Sequence, residues 1–405
     1  MSTHPLAIVL GVDSPIGLTV IRELGRRGVP VHAIGRSEHA IGRASKWTKS
    51  FSVRPKGALA DWLPALIRET GAGVMLAISE DDLIALAALD PVMGGCKILT
   101  PRAAPLSIVL DKADTLTRAV AIGIDVPVSW QPQPGKDFAA KAGALAYPLV
   151  LKWADPPAIL PRLAEHSIEF IKAEHVDTPD ALLAALSRYD ALAAYPLTQS
   201  YCPGIGLGQM FHMKDGAATL AFQHRRIHEW PPEGGVSTVC ATVPLDQHEE
   251  QRAKSEALLA SIGWEGAAMV EYRYDEATGK YGLMEINGRF WGSLPLARHA
   301  GADFAWESYA RALGIDPAQG EQKERHARYT IPETRRLARV FFGTRTIADR
   351  QFKPTPWRDL LSYIGDFLDP GMRYFVWDLR DPRPFLADMK NVIRKRVRRE
   401  RLRKD

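Results

Sequence analysis

The sequence predicts an α/β protein whose first part contains a parallel sheet and whose later part is mixed α+β. Near the start, the apolar run 6–12 leads through a glycine turn into a helix and then into a second apolar run, Val31–Gly35. Strand, turn, helix and strand in this order are typical of a parallel, Rossmann-like unit. Farther along, residues 267–292 alternate polar and apolar side chains around Ala277-Thr278-Gly279, which indicates an antiparallel hairpin.

Length and composition indicate a globular protein of two or three domains. The 405 residues are 46% hydrophobic and 24% charged, which is ordinary for such a chain. The three cysteines, Cys96, Cys202 and Cys240, lie far apart and match neither a metal-ligand spacing nor a disulfide framework. We find no signal peptide and no apolar run long enough to span a membrane, so we expect a cytoplasmic location.

The net charge of +5 comes from the C-terminal tail. Residues 390–405 contain nine Lys or Arg and two acids, so the rest of the chain is slightly negative. A four-residue apolar spacing predicts that the tail is a helix, and it is set by Phe385, Met389, Ile393 and Val397. The tail could be a solvated helix or could contact an anionic membrane surface. Nucleic acid is the least favoured partner, because no aromatic residues alternate with the charges.

The first part contains only a weak nucleotide signal. Its first turn has Gly11 and Gly17 but not the three glycines of the dinucleotide fingerprint, so a fold-forming turn is favoured. Alternation of helices and strands continues, which extends the parallel sheet. The predicted elements are a helix at 58–69, a strand at 73–78, a helix at 81–88 and a strand at 96–99.

Two lysines stand out in the middle of the chain. Asp111 and Lys112 open a helix that Gly123 closes, and the apolar strand 147–152 ends in Lys152. A lysine in an apolar strand either snorkels at an edge or holds an anion. We expect residues 153–176 to be irregular at first and strand-like from Glu169, and a helix to begin at Thr178 as its N-cap.

The later part reads as a succession of strands. Residues 196–203 form a strand, and the strands 208–214 and 217–224 flank the hairpin turn Asp215-Gly216. A basic run, His224-Arg225-Arg226, and a polar glycine loop at 234–238 follow. Substrate contact by Arg226 and a solvated strand end are equally compatible with this run. Helices are predicted at about 246–262, from Asp303 to Leu313, and over much of 333–368.

The hairpin at 267–292 holds two carboxylates within apolar strands. Glu285 and Asn287 are two residues apart and share a face, and pairing around the turn brings Glu271 near them. Oxygen ligands of this kind, with Arg289 beyond them, describe a site for Mg²⁺ with phosphate. The alternative is an edge hairpin with solvated carboxylates, but apolar neighbours such as Met284 and Ile286 favour a site.

Lys112, Lys152, Glu271 and the motif MEINGRFWGS together resemble the ATP-grasp superfamily, in particular its branch of predicted carboxylate–amine ligases, or carboligases. The likeness covers residues 6–310. It implies a Rossmann-like pre-ATP-grasp domain, an ATP-grasp fold of two α+β subdomains and a helical C-terminal extension. The implied bounds are 1–105 for the first domain, 106–195 for the small (lid) subdomain, 196–315 for the large subdomain with the metal site, and 316–405 for the extension.

The resemblance also implies roles for individual residues. Lys112 and Lys152 resemble the two lysines that contact ATP phosphates. The ligands of Mg²⁺ (or Mn²⁺) match Glu271, Glu285 and Asn287. Catalytic arginines match Arg289, beside the transferred phosphate, and Arg226, near the acyl phosphate or the substrate carboxylate. The segment that resembles the family's hinge, whose backbone binds adenine, is Gln199, Ser200 and Tyr201.

The implied activity is an ATP- and Mg²⁺-dependent ligation of a carboxylate to an amine. The γ-phosphoryl group of ATP would pass to the carboxylate, and an amine would displace phosphate from the acyl phosphate to give an amide or peptide. The implied partners are small carboxylate and amine substrates, and relatives of this type suggest a homodimer.

Two other functions compete with ligation. The family's glycine-rich loop is missing after Lys152, because no glycine occurs between Gly143 and Gly204 and prolines occupy the place. A catalytically impaired nucleotide-binding regulator or scaffold is therefore the alternative. The interpretation as a nicotinamide-dependent oxidoreductase rests on the first domain alone, and that domain lacks the triple-glycine dinucleotide fingerprint.

Overall fold

The strands of the described residues form three sheets connected by helices. The structure is a computed structural model that describes residues 4–232, 234–318, 320–344, 347 and 352–401. Each sheet takes its strands from one stretch of the chain, so the order of the sheets follows the sequence. The last four residues of the basic tail, 402–405, lie outside the described residues.

The first sheet is the Rossmann-like unit that the sequence predicts. Its strand order is β3-β2-β1-β4-β6-β5, and its pairs are parallel except β5–β6. The chain reverses its direction of growth between β1 and β4, where the carboxyl ends of the strands form a crevice. The elements are β1 (Ala7–Leu10), α1 (Pro15–Arg26), β2 (Val31–Gly35), β3 (Thr48–Val53), α2 (Leu59–Thr70), β4 (Val74–Ala77), α3 (Glu80–Ala87), β5 (Val92–Met93) and β6 (Cys96–Leu99).

The glycines of the first turn serve the packing of the fold. Gly11 has φ +97°, a left-handed conformation that favours glycine. A Cβ on Gly17 would lie 2.7 Å from the Gly11 carbonyl oxygen and from Val12 Cα, so α1 could not approach the turn as closely. This agrees with the interpretation of the turn as fold-forming.

The second sheet is small and has the order β7-β10-β8-β9, with antiparallel pairs. Its core joins Leu149 and Leu151 to Leu182 and Leu186 on the covering helix. Two helices here, α4 and α7, were not predicted, and the expectation of an irregular start to 153–176 was wrong for α7. The elements are α4 (Ala103–Leu110), α5 (Lys112–Ala121), β7 (Ser129–Trp130), α6 (Ala139–Ala144), β8 (Leu149–Lys152), α7 (Pro156–Glu165), β9 (Glu174–Val176), α8 (Pro179–Ser187) and β10 (Leu197–Ser200).

Helix α7 forms where the sequence suggested loop because two of its three prolines stand at its start and its N-terminus is capped. Asp155 caps the helix by accepting a hydrogen bond from the Ala158 amide at 3.0 Å, and prolines occupy the first turn, where no amide is needed. Ile159 and Leu163 then pack against Trp153 and Tyr189, which anchors the helix.

The third sheet has the order β15-β14-β11-β12-β13-β16-β17. Its pairs are antiparallel except β16–β17. The elements are β11 (Ile205–Lys214), β12 (Ala217–Trp230), β13 (Val236–Thr242), α9 (Glu249–Ile262), β14 (Gly266–Asp275), β15 (Lys280–Asn287), α10 (Leu294–Ala300), α11 (Phe304–Ala312), β16 (His326–Arg328), α12 (Thr330–Phe342), α13 (Pro356–Gly365), β17 (Met372–Tyr374) and α14 (Arg383–Arg401).

The C-terminal extension is more than the helical segment that the sequence predicts. Its strands β16 and β17 extend the third sheet beyond β13. Neither strand was predicted, because each is only three residues long and shows no alternation of its own. Helix α14 then returns to the first domain, where Asn391 Nδ2 donates to the His39 carbonyl at 2.8 Å.

A buried carboxylate fastens the extension to the first domain. Asp381 Oδ2 accepts from Arg22 Nε at 3.0 Å and from Ser45 Oγ at 2.7 Å, and its Oδ1 accepts from the Lys46 amide at 2.9 Å. Both side chains of the ion pair are 1% exposed. A partner lost from such a pair leaves a buried charge without compensation.

We therefore expect Asp381→Asn to lower the free energy of unfolding by about 3–5 kcal/mol, the typical effect of breaking a buried pair. The measurement is urea denaturation followed by tryptophan fluorescence. Glu38→Gln is the matched control, because it removes an exposed ion pair to Arg43 and should change stability by less than about 1 kcal/mol. Equal effects of the two substitutions would refute the role given to Asp381.

Candidate active site

The two hairpin carboxylates face each other across adjacent strands. Glu271 on β14 is the direct partner of Glu285 on β15, so their side chains project from the same face of the sheet. Asn287 lies on that face as well, and its Nδ2 donates to Glu285 Oε1 at 3.0 Å. Because the amide uses its nitrogen here, its oxygen Oδ1 is the atom suited to a cation.

Arg226 reaches this pair from the neighbouring part of the sheet. Its Nη2 donates to Glu271 Oε2 at 2.5 Å, and its Nη1 donates to the Gly235 carbonyl at 3.0 Å and to Glu229 Oε1 at 3.2 Å. Although burial alone would lower it, the pKa of Arg226 lies above its ordinary value, because Glu271 and Glu229 flank the guanidinium. Arg226 is thus a fixed cation beside the carboxylate pair.

Sequence analysis missed Glu229, which holds Arg226 in place. Its Oε2 accepts from Arg273 Nη2 at 2.9 Å, so alternating charges run from Arg273 through Glu229 and Arg226 to Glu271. The expected strand ended at residue 224, whereas β12 continues to Trp230 and carries Glu229 within the sheet. A carboxylate three residues after Arg226 was the available signal.

The two facing carboxylates differ in their tendency to take up a proton. Burial raises the pKa of Glu271, and the negative charge of Glu285 adds to this against the effect of Arg226. Burial would also raise the pKa of Glu285, but Lys112, the Asn287 amide, Arg226 and Arg289 lower it overall. Glu285 is therefore the more strongly ionised member of the pair.

The paired lysines approach from the other side. Lys112 begins α5, whose first turn is capped by Asp111 and which packs against β15. Lys152 ends β8 on the small sheet, and its pKa is lowered by burial and by the positive charge of Lys112, while Glu285 and Glu271 act in the opposite sense. Both lysines thus lie within electrostatic reach of Glu285.

Arg289 faces the first domain. Its Nε lies 3.7 Å from Glu80 Oε2, at the start of α3 and the carboxyl end of β4, and its Nη1 donates to the Phe290 carbonyl at 3.1 Å. A cavity of about 260 Å³ opens beside it between the first and third sheets, and its walls include Leu76, Leu83 and Phe290. Arg289 therefore stands between the carboxylate pair and an apolar cavity.

The expected hinge residues lie at the end of β10. The Ser200 amide donates to the Val128 carbonyl at 2.8 Å, and the Tyr201 amide donates to the Pro148 carbonyl at 3.0 Å. Gln199 Nε2 donates to Ser129 Oγ at 2.9 Å. These donors stabilise the small sheet, and the adenine contact assigned to this segment stays a prediction.

The donor set suits a hard cation held by oxygen atoms. Among the described residues, no cluster of three or more His, Cys, Asp or Glu side chains could hold a metal ion. The hairpin offers two carboxylates and one amide oxygen, the ligand types that Mg²⁺ accepts while keeping several waters. A divalent cation would also relieve the repulsion that raises the pKa of Glu271.

Comparisons with known proteins show which fold the chain shares. A family model described as "ATP-grasp in the biosynthetic pathway with Ter operon" matches residues 224–334. An ADP complex of N5-carboxyaminoimidazole ribonucleotide synthetase superposes with a TM-score of 0.61 at 14% identity, over 80% of each chain. The chain has the ATP-grasp fold. The ATP-grasp hairpin, with Glu271, Glu285, Asn287 and Arg289, lies within the matched residues.

Two further structures share the ATP-grasp fold. The biotin carboxylase domain of Hydrogenobacter thermophilus 2-oxoglutarate carboxylase, in complex with MgADP, ADP and bicarbonate, gives a TM-score of 0.60 at 16% identity, over 79% of this chain and 73% of that one. The L-amino acid ligase of Bacillus licheniformis gives 0.54 at 15% identity, over 77% and 75%. The chain spans 30% of the longer pyruvate carboxylase of Rhizobium etli. A search of the curated proteins finds no match.

We predict that Arg226→Gln raises the pKa of Glu271 further, because the substitution removes the cation that most lowers it. The protonation of the pair would then begin at a higher pH on acidification. Infrared difference spectra of the carboxyl carbonyl band, with ¹³C-labelled glutamate, measure this. Arg225→Gln is the control, since Arg225 is the exposed neighbour in the strand. An unchanged titration in Arg226→Gln would contradict the geometry.

Proposed function

We propose that the protein is an ATP- and divalent-metal-dependent ligase that joins a carboxylate to an amine through an acyl phosphate. The observation that carries the proposal is the half-buried Glu271–Glu285 pair, faced by two lysines and two arginines from separate elements. Carboxylates and cations so arranged can receive a metal ion and several phosphate groups at once.

The proposed reaction has two steps. A carboxylate oxygen of the first substrate attacks the γ-phosphorus of ATP, and the bond to the ADP oxygen breaks, giving an acyl phosphate and ADP. The nitrogen of the amine then attacks the acyl carbon, the carbon–oxygen bond to phosphate breaks, and the amine loses a proton. Neither step needs a protein nucleophile, because ATP supplies the activation.

The charge of each site residue suggests which part of the substrates or cofactors it would bind. Lys112 and Lys152 would hold phosphate oxygens from the side of the small sheet. Glu271, Glu285 and Asn287 would hold Mg²⁺ or Mn²⁺, which would neutralise phosphate charge when bound. Arg289 would lie beside the transferred phosphate and Arg226 near the acyl phosphate or the substrate carboxylate, since guanidinium groups match carboxylate and phosphate geometry.

Cations placed in this way would reduce the electrostatic repulsion between the reactants, which is the main obstacle to the first step. Both reactants are anions, and they repel each other unless fixed cations surround them. Two structural neighbours are complexes with ADP or MgADP, which supports a nucleotide for this chain. A third is an L-amino acid ligase, which supports an amino acid as substrate. The cytoplasmic location and the homodimer stay predictions.

A nucleotide-binding regulator or scaffold is the second candidate. After Lys152 the chain forms helix α7, which contains Pro161. The resemblance to the ATP-grasp superfamily implies a glycine-rich loop in this place. Within α7, Arg162 donates to the Leu192 carbonyl, so its guanidinium is held on the small-subdomain side. A lid that closes poorly would favour binding of nucleotide without turnover.

Ligase activity predicts that ADP release is stimulated by a suitable pair drawn from pools of amino acids and small carboxylates. Glu285→Gln should lower this stimulated rate about 100-fold or more, because it removes a metal ligand. Glu276→Gln, an exposed change in the same hairpin turn, is the control and should retain activity. Nucleotide binding by the wild type without turnover across the pools would instead support the regulator.

Nucleotide affinity should also depend on the charge of Lys152. Its pKa lies below the ordinary lysine value of 10.5, and only the protonated form attracts phosphate. ADP affinity should therefore fall as the pH rises through this lowered pKa. Lys152→Arg should keep its charge and move the fall to higher pH, whereas Lys141→Arg, an exposed control, should not. Calorimetric titration measures both, and identical profiles would exclude Lys152 from the phosphate site.

A further inference from the structure

Helix α13 turns a row of large apolar side chains outward. On the helix, Trp357 and Leu361 are 72% and 70% exposed, and Ile364 is also exposed. Leu368, just beyond the end of the helix, is 81% exposed. Trp357, Leu361 and Ile364 are four and three residues apart, which places them along one side of α13, and Leu368 follows in the turn after the helix. A row of this size exceeds the isolated apolar side chains that ordinary protein surfaces show.

The opposite side of α13 fixes this orientation. Asp359 is buried, and its Oδ2 accepts from Arg336 Nη1 and Nη2 on α12 at 3.1 Å. Thr355 Oγ1 donates to Asp359 Oδ1 at 2.9 Å. Rotating the helix to bury the apolar row would break these contacts and expose a buried pair. The apolar row is therefore a built feature of the surface rather than a loose end.

Helix α14 presents a similar face. Its exposed apolar residues, Leu386, Met389 and Ile393, are three and four residues apart. Helix α14 packs against the first domain, where Asn391 Nδ2 donates to the His39 carbonyl at 2.8 Å. The extension thus carries two helices with outward apolar rows.

Cations predominate around these rows, although Asp369, next to Leu368, is exposed and Asp366 pairs with Arg328. Glu333, the one acid of α12, bonds with Arg336 and Thr238, and Asp359, the one acid of α13, is buried against Arg336. Exposed cations surround the rows, namely Arg335, Lys353, Arg358, Lys390, Arg394 and Lys395. The sequence beyond residue 395 adds six more basic residues and two acids.

We propose that the outward face of α13 and α14 docks on an anionic lipid bilayer. Leucine, isoleucine and tryptophan side chains among lysines and arginines are the composition of helices that lie in a membrane interface. Among the described residues no helix is both long and apolar enough to cross a bilayer, so the contact is one of surface insertion. The sequence suggested a membrane contact for the basic C-terminal tail alone, and the proposal extends that contact to α13.

Charge complementarity favours lipid over the other occupants of such a face. A second copy of the chain would bring the same cations against one another in a symmetric contact. Nucleic acid would satisfy the charges but would leave the aliphatic rows without a partner. An anionic bilayer satisfies both the charges and the apolar side chains.

The test is co-sedimentation of the full chain with vesicles of phosphatidylcholine alone and with vesicles that also contain phosphatidylserine. The wild type should bind the anionic vesicles, and added salt should weaken binding. Leu361→Ser/Leu368→Ser should lower the affinity at least tenfold by removing inserted apolar area. Lys390→Gln/Arg394→Gln/Lys395→Gln should lower it about 100-fold.

Matched controls keep the test specific. Val92→Ser removes an exposed apolar side chain of the first sheet, and Lys49→Gln/Lys56→Gln/Arg68→Gln removes three exposed charges there. Both controls should bind as the wild type does, and all variants should melt at the wild-type temperature. Equal binding to neutral and anionic vesicles, or full binding by the Leu361→Ser/Leu368→Ser variant, would overturn the proposal. The proposal would also be overturned if the wild type bound no lipid but instead dimerised or bound an oligonucleotide, and the Leu361→Ser/Leu368→Ser variant lost that property.

Discussion

The arrangement of the molecule follows from two half-buried carboxylates that face each other on adjacent strands. Glu271 and Glu285 repel each other, and burial strengthens that repulsion unless cations lie close by. The cations come from β12, from the start of α5 and from the end of β8, through Arg226, Lys112 and Lys152. The small sheet and the third sheet together therefore bring these cations toward the carboxylates.

The C-terminal extension secures the other boundary of the site. Arg289 reaches Glu80 only if the first domain is held against the third sheet. Asp381 and Asp378 provide that hold through arginines of α1 and α10, and β16 and β17 continue the sheet itself. The same extension exposes apolar rows on α13 and α14, so one segment both holds the first domain and carries the apolar surface.

Sequence analysis identified the parts of the site with strong local signals. Carboxylates in an apolar hairpin and a lysine at the end of an apolar strand are rare enough to be noticed without a structure. Glu229 was missed because the expected strand stopped at residue 224, and α7 was missed because prolines at a helix start resemble loop prolines. Strands β16 and β17 were too short to show a period, and the buried pair of Arg22 and Asp381 joins residues 359 positions apart.

The sequence by itself determined the fold class, the glycine turn of the first domain and the common face of Glu285 and Asn287, because periodicity and turn chemistry are local. Tertiary structure alone decided which cations meet those carboxylates and how their pKa values divide. It also decided that the acids of α12 and α13 point inward while their apolar neighbours point out. These properties depend on distances between segments remote in the chain, and no local pattern encodes such distances.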